Sequence, residues 1–268
     1  MRASCGITTR VHPAERAERD ALRSLAAAPG TRIADVDGAV CFAIPALPDV
    51  PMVNHTVGLG EDEPAEDAVL DAAVDFYAAL GVGFYASITP SARPTDLRRR
   101  LAERGFTRGY AWMKFTRSAA DVPSPHTELD LRLVGPSGGD DFARVVLAGY
   151  GLPDAVRETI AAVPALDDWS AYVAYEGDEP AAAGALFISG DVGWLGFAAT
   201  APAHRRKGGQ GAILAARLAR ARELGVETLV TETGVAEEGR PSNSYRNILR
   251  SGFEELYVRE NYLSPESA

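Results

Sequence analysis

The sequence of 268 residues is poor in cysteine and histidine, and it contains no long apolar run. Its two cysteines, Cys5 and Cys41, are too few for a disulfide framework, which favours a reducing cytoplasm. Its four histidines show no metal-ligand spacing, so we expect no metal site. No apolar segment reaches the length of a membrane span, and residues 1–25 lack the apolar centre of a signal peptide.

Positive charge is also scarce, because 27 Lys and Arg face 37 Asp and Glu and leave a formal net charge of −10. Nucleic acids and anionic membranes bind basic surfaces, so we expect neither as a partner. An acidic surface suits a cationic amine, although acidic side chains also serve solubility alone.

The most informative segment is a basic, glycine-rich turn between a predicted strand at 192–198 and a predicted helix at 212–224. Glycine backbone and a helix N-terminus present N–H groups to a phosphate, and adjacent cations add charge-assisted hydrogen bonds. The turn therefore predicts a pyrophosphate site formed by Arg205, Arg206, Lys207, Gly208, Gly209, Gln210 and Gly211. The alternative is a solvated basic turn at the start of a helix.

The order of these residues excludes two common phosphate-binding motifs. No Ser or Thr follows Lys207, as the magnesium ligand of a P-loop would. The cations also stand inside the turn, where the dinucleotide-binding fingerprint needs little bulk. A different nucleotide-binding loop is therefore expected.

The turn resembles the acyl-CoA loop of the GCN5-related N-acetyltransferase (GNAT) superfamily, which reads [QR]-x-x-G-x-[GA] between a strand and a helix. Residues 206–211 match this string fully. A second register, residues 205–210, keeps the family's usual distance from Pro202 but places Gln210 at the last small position. Both registers remain open. The order of predicted elements over roughly 129–263 also resembles this fold.

The first half of the sequence repeats the element order of the second half: a helix, a strand, a short helix, a Gly-Phe pair and a strand. A polar, proline-rich segment at 118–126 separates the halves. We therefore expect an α/β (α+β) fold of two GNAT-like units, each a twisted, mixed and mostly antiparallel sheet flanked by helices. The predicted domains are a divergent N-terminal unit at 1–118 and a catalytic GNAT domain at 127–268.

The N-terminal unit has lost the cofactor loop, because acidic residues at 61–63 precede its helix where cations are needed. These carboxylates would repel a pyrophosphate. We expect this unit to support the catalytic domain, to shape an acceptor cleft or to mediate self-association. A homodimer is compatible with the sequence, which leaves the oligomeric state open.

The resemblance implies an acyl-CoA-dependent N-acyltransferase, in which a primary amine of a small molecule or peptide attacks acetyl-CoA directly in a ternary complex. Acetyl-CoA is then the cosubstrate, and no metal is needed. Backbone N–H groups near Phe197, Ala198 and Ala199 would polarise the thioester carbonyl. Asn243 and Asn247 would contact the CoA arm, although Asn243 is equally suited to be an N-cap. The acceptor and the acyl chain length are not indicated.

Two residues are candidates for proton transfer. Glu232 ends the strand that follows the cofactor helix, and we predict it as the general base, with a surface carboxylate as the alternative. The chain departs from the family pattern at Ile248, where a tyrosine usually precedes the Gly-Phe pair. Tyr245, one turn earlier, is the candidate general acid, with a packing role as the alternative.

Two other functions compete with this interpretation. A non-catalytic acyl-CoA sensor or assembly protein would account for the missing tyrosine and the divergent first unit. A serine hydrolase would use the G-x-S-x-G string at 135–139, but its only downstream histidine is His204, inside the predicted phosphate loop. The hydrolase is the weaker competitor.

Overall fold

The computed structural model describes residues 12–124, 126–235 and 243–265. Within these ranges the helices are α1 (Pro13–Ser24), α2 (Asp67–Leu80), α3 (Leu97–Glu103), α4 (Gly139–Tyr150), α5 (Arg157–Ala161), α6 (Gly209–Glu223) and α7 (Asn243–Arg250). The strands are β1 (Arg32–Val36), β2 (Ala39–Ala43), β3 (His55–Val57), β4 (Tyr85–Ile88), β5 (Thr107–Arg108), β6 (Trp112–Ser118), β7 (Asp130–Val134), β8 (Trp169–Glu176), β9 (Glu179–Ser189), β10 (Val192–Thr200), β11 (Thr228–Gly234) and β12 (Glu254–Leu263). Cys5 lies outside the described residues.

All of these strands belong to one sheet, in the order β1-β2-β3-β4-β12-β6-β11-β10-β9-β8-β7, with β5 also paired to β12. The strand pairs are antiparallel except for β3 with β4 and β10 with β11. The expected mixed, mostly antiparallel α/β architecture is therefore confirmed.

The two halves of the chain exchange their last strands. β6, from the first half, lies between β11 and β12 of the second half. β12, in turn, lies between β6 and β4 of the first half. The proposed boundary at 118–127 thus divides the sequence between two units that share one continuous sheet.

A gap opens in the sheet between β10 and β11. The two strands pair in parallel only from Val192 to Trp194, opposite Thr228 to Val230. On its other side β10 pairs with β9 from Val192 to Thr200. The register of this pair shifts between Gly196 and Ala199, where Phe197 has a φ of 54°. The bulge takes the backbone of residues 197 and 198 out of the regular ladder.

Helices cover both faces of the second half of the sheet. α6 packs on one face through apolar side chains such as Ile213 and Leu218, and α4 packs on the other through Phe142 and Val145. α1 crosses from the first half to contact β9 and β10 as well as β2 and β3. One apolar core therefore combines side chains of both halves. Of the described helices, none combines the length and the apolar character that a membrane crossing requires.

Candidate functional site

A cavity of about 1280 Å³ lies along the gap between β10 and β11 and extends between the two halves of the chain. Its first end is formed by the glycine-rich loop, including Arg205, Arg206 and Gly208, together with Asn243 and Asn247 of α7. Its centre is the bulge at 196–199, and its far end is lined by side chains of the first half. The predicted cofactor loop, thioester site and base thus lie around one continuous space.

The loop presents unpaired backbone donors at the start of α6. The first helical bond runs from the N–H of Ala212 to the carbonyl of Gly208, so the N–H groups of Gly209, Gln210 and Gly211 precede it. Gly208 has a φ of 80°, and a Cβ there would lie 2.5 Å from the carbonyl oxygen of His126. Only glycine fits this position, and the three donors together with the helix dipole form an anion site.

The cations of the loop have different surroundings. Arg205 and Arg206 are exposed and line the cavity. Lys207 instead directs its Nζ to the Glu176 carboxylate, at 2.5 and 2.6 Å, and His204 Nδ1 lies 2.6 Å from the same group. Hydrogen bonds from Lys207 and His204 hold the pKa of Glu176 below its usual value. The predicted phosphate contact of Lys207 would therefore compete with Glu176, and it stays a prediction.

A hydrogen bond joins the start of α6 to α7. Asn247 Nδ2 donates to Gln210 Oε1 at 2.5 Å, and both residues line the cavity. Asn243 Oδ1 accepts from Arg246 at 2.7 Å. The side chain of Gln210 thus points to α7 in either register of the loop, at the place where a CoA arm would pass.

Glu232 belongs to a buried ionic cluster of three carboxylates and two cations. Its Oε2 lies 2.9 Å from Lys114 Nζ and 2.8 Å from Arg259 Nη2. Both cations also bind Glu18, and Arg259 Nη1 lies 3.4 Å from Glu15 Oε2. The other four members of the cluster have side chains at most 1% exposed, whereas Glu232 is 16% exposed and lines the cavity.

The pKa values of two carboxyls in this cluster are shifted in opposite directions. Burial raises the pKa of Glu232, and the neighbouring Glu18 carboxylate adds to this effect. Burial also opposes ionisation of Glu18, but the charges of Arg259 and Lys114 hold its pKa well below its usual value. Separated pKa values of this kind are typical of a site that moves a proton. Glu232 therefore takes up a proton at a higher pH than Glu18 does.

His55 of β3 reaches the same end of the cavity from the first half of the chain. Its Nδ1 lies 3.1 Å from the carbonyl oxygen of Val53, and an Nδ1–H donor in this contact leaves Nε2 as an acceptor. Nε2 is buried and has no hydrogen-bond partner among the described residues; Glu18 Oε1 is 3.8 Å away. The sequence analysis missed His55 and Glu18 because both lie in the unit without a cofactor loop.

Two further residues missed by the sequence analysis contact the bulge. The hydroxyl of Tyr150 donates to the carbonyl of Ala198 at 3.1 Å. Arg217, only 2% exposed, donates through Nη1 to the carbonyls of Ala185 and Gly196, each at 3.2 Å. Burial lowers the pKa of Arg217 to about 10. Residue 217 follows Ile213 and Leu214 at helical spacing, so an arginine among these apolar positions is the signal that could have identified it.

Tyr245 has a different environment from the one its predicted role requires. The wall contributed by α7 consists of Asn243, Ser244, Asn247 and Ile248, followed by Arg250 and Ser251. The Tyr245 ring packs edge-on against Phe115 with centroids 4.9 Å apart, and its hydroxyl donates to the Glu255 carboxylate. Burial and this bond raise its pKa to about 12. Its role as the general acid stays a prediction, and the packing alternative agrees with these contacts.

The hydrolase alternative gains nothing from the structure. Ser137 lies in an exposed 3₁₀ turn before α4, and His204 is paired with Glu176. In the part of the chain that the structure describes, no group of three or more His, Cys, Asp or Glu residues is arranged to hold a metal ion.

Comparison with known proteins agrees with this geometry. Residues 149–245, which include the bulge, the glycine-rich loop and the beginning of α7, match the Acetyltransferase (GNAT) family. No curated protein matches the chain. Residues 149–245 therefore contain a domain of the Acetyltransferase (GNAT) family.

Solved structures show the same fold along nearly the whole chain. A GCN5-related N-acetyltransferase from Kribbella flavida is 19% identical, with a TM-score of 0.65 and 98% of each chain covered. A tandem GNAT protein from the clavulanic acid biosynthesis pathway is 16% identical, with a TM-score of 0.56, over 90% of this chain and 86% of its own. A GCN5-related N-acetyltransferase from Sphaerobacter thermophilus is 13% identical, with a TM-score of 0.56, over 84% of this chain and 79% of its own.

Proposed function

We propose that this protein is an N-acetyltransferase that transfers an acetyl group from acetyl-CoA to a primary amine of a small molecule or peptide within a ternary complex. The observation that carries the proposal is the single cavity that connects the N–H groups at the start of α6 with Glu232. The family match supports acyl transfer in general. A cytoplasmic location is part of the proposal and rests on the low cysteine content.

The loop residues fit the pyrophosphate of CoA. The N–H groups of Gly209, Gln210 and Gly211 supply donors, and the exposed Arg205 and Arg206 supply positive charge at the same end of the cavity. Asn243 and Asn247 line the adjoining wall and are suited to bind the amide-bearing arm. The acyl group then reaches the bulge at 196–199.

The amine must lose its proton before it attacks the thioester carbonyl. For an alkylammonium of ordinary pKa, the neutral form costs about 4.6 kcal/mol at pH 7. Glu232 is our candidate for the base, because it faces the cavity and its raised pKa brings it closer to the working pH. Its bonds to Lys114 and Arg259 fix the position of the carboxylate.

The bulge supplies the electrostatic part of the reaction. Backbone N–H groups near Phe197, Ala198 and Ala199 are the candidate donors to the carbonyl oxygen, where a preorganised donor lowers a barrier by about 3 kcal/mol. Arg217 holds a buried positive charge beside this backbone. That charge favours departure of the CoA thiolate, and Tyr150 is placed to provide a proton there.

Acetyl-CoA binding by the loop is tested with the double variant Arg205→Glu/Arg206→Glu. We expect calorimetry to show at least a tenfold weaker affinity, since two charges are reversed against the pyrophosphate; roughly 1.4 kcal/mol corresponds to tenfold. Arg222→Glu, in the exposed last turn of α6, is the control for a charge reversal. Equal affinities of the double variant and the control would refute the loop assignment.

Transfer is tested by the release of CoA from acetyl-CoA in the presence of a panel of primary amines. Steady release that depends on the amine supports the acetyltransferase. Tight acetyl-CoA binding without release across the panel would favour the second candidate, an acyl-CoA sensor, for which the apolar Ile248 in the cavity wall is the supporting observation.

A further inference from the structure

The far part of the cavity, beyond the bulge, is an apolar chamber between the two halves of the chain. One wall comes from the first half and includes Phe42, Ile44 and Val53. The second half contributes Leu152 and Ile160 to the lining. The proposed function places the acetyl group and the CoA arm at the gap between β10 and β11, so this space is left for another group.

Two hydroxyl groups on the chamber walls are bonded within the protein, whereas the buried Trp194 Nε1 has no hydrogen-bond partner among the described residues. The Thr31 hydroxyl donates to the carbonyls of Leu25 and Ala28, at 2.9 Å each. The Thr159 hydroxyl donates to the carbonyl of Pro29 at 2.6 Å. A polar ligand body would lose its water here and find few new partners, whereas an apolar body would gain from burial.

One end of the chamber has the opposite character. Glu18, His55 and Glu232 line it together, and the buried cluster around them contains three carboxylates and only two cations. His55 is 8% exposed, and its Nε2 has no hydrogen-bond partner among the described residues. Carboxylates therefore outnumber cations by one at this end, and an ammonium group supplies a further positive charge and a donor for His55 Nε2.

From these two features we infer that the acceptor is a primary amine attached to a bulky apolar body, aliphatic or aromatic, and free of further charges. The amine lies at the Glu18, His55 and Glu232 end, and the apolar body fills the chamber between the halves. This inference deepens the proposed acetyltransferase function and rests on it. It also gives the first half of the chain a role, because Phe42, Ile44 and Val53 form one side of the acceptor site.

A long acyl chain on CoA is the other possible occupant. It would leave the excess negative charge of the cluster unbalanced and His55 Nε2 without a donor, because an acyl chain carries neither positive charge nor a donor. The charge at the end of the chamber therefore favours the amine as its occupant.

The experiment uses the full chain, saturating acetyl-CoA and straight-chain primary amines from ethylamine to octylamine, which have nearly equal basicity. We expect kcat/KM for CoA release to rise about fourfold for each added methylene over the first few members. Butane-1,4-diamine should be poorer than pentylamine, because its second ammonium would be buried without a partner. A flat series, or a better diamine, would overturn the inference.

A variant locates the effect in the chamber. Leu152 is half-buried in the loop after α4, and Leu152→Trp should narrow the chamber. We expect kcat/KM for octylamine to fall at least tenfold and by a larger factor than that for ethylamine, while the affinity for acetyl-CoA stays within twofold. Leu133→Trp adds the same ring at a position 57% exposed on β7 and is the control. Equal losses for both amines would overturn the placement.

Two further measurements separate the inference from the function on which it rests. If octanoyl-CoA is preferred to acetyl-CoA and Leu152→Trp removes that preference, the chamber holds the acyl chain and the inference is wrong. If no amine releases CoA, the proposed function fails, and calorimetry of octylamine and ethylamine on the CoA-loaded protein decides on the chamber. A preference for octylamine that Leu152→Trp removes supports the chamber as an amine site; equal affinities refute it.

Discussion

Arg217 and Gly196 are joined by a hydrogen bond of 3.2 Å, from the guanidinium Nη1 to the carbonyl oxygen that directly precedes the bulge in β10. Removal of the guanidinium in Arg217→Met should loosen the bulge and remove its positive charge. We expect kcat to fall at least tenfold, roughly 1.4 kcal/mol or more, with a smaller change in acetyl-CoA affinity. Steady-state kinetics and calorimetry measure the two effects.

Arg217→Lys is the companion variant. It keeps a charge but loses the planar guanidinium, whose Nη1 donates to both carbonyls, so an intermediate kcat is expected. If Arg217→Met has the same kcat as the unmodified protein, the charge beside the bulge does not act on the reaction.

Glu232→Gln should lower kcat/KM more at neutral than at alkaline pH. The raised pKa of Glu232 means that the carboxyl is protonated, and inactive as a base, up to a higher pH than an exposed glutamate. At alkaline pH a larger fraction of the amine is already neutral, so the base matters less. The pH profile of kcat/KM between about pH 6 and pH 9.5 measures this difference.

Glu254→Gln, at an exposed position of β12, is the control for Glu232→Gln. A loss that is uniform across the pH range would remove Glu232 from the role of base. Thermal unfolding of both variants should accompany the kinetics, because Glu232 also binds Lys114 and Arg259.

Glu18→Gln should destabilise the fold by about 3–5 kcal/mol at pH 7, since it leaves two buried cations short of a partner. The pKa of Glu18 in the folded protein lies well below the usual 4.5, so its contribution is fully present above that value. The contribution is lost as the pH falls through the folded pKa. Urea denaturation at neutral and acidic pH should therefore give a smaller difference from the unmodified protein in acid.

Glu223→Gln is the surface control for the Glu18 measurement, because its carboxylate is 65% exposed beside Arg220. We expect it to change the free energy of unfolding by less than about 1 kcal/mol at either pH. A Glu18→Gln effect that grows in acid would contradict the cluster's charge assignment.

Two tyrosine variants test the source of a proton for the leaving thiolate. Tyr150→Phe removes the hydroxyl that contacts Ala198 at the bulge and should lower kcat several-fold, by about 1 kcal/mol. Tyr245→Phe removes a hydroxyl that donates to Glu255, and kcat should stay within twofold. The opposite ranking in single-turnover kinetics would support Tyr245 as the general acid.

Local pattern was enough to predict the elements that form the cofactor end of the site. The predicted helix at 212–224 corresponds to α6, Gly209–Glu223, and the predicted strand at 192–198 corresponds to β10, Val192–Thr200. Glycine conformation and apolar periodicity are local properties, so a single sequence carries them. The start of α6 differs by three residues because glycines at its first turn have no apolar side chain to mark it.

The acceptor end could not be predicted in the same way. Glu18 lies in α1 and His55 in β3, and they reach Glu232 only because the halves of the chain share one sheet. Their positions depend on pairing between strands distant in sequence, such as Lys114 opposite Glu232 in β6 and β11. No periodicity within either half encodes that pairing.

Because β6 and β12 are exchanged between the halves, the order of synthesis decides when each strand finds its partners. β4 and β6 have no strand between them before β12 is synthesised, so the amino-terminal half alone has one unpaired edge on β4 and two on β6. A chain divided near residue 120 would give two fragments, each of which lacks strands that the other supplies. Each fragment would need the other in the same cell to complete the sheet.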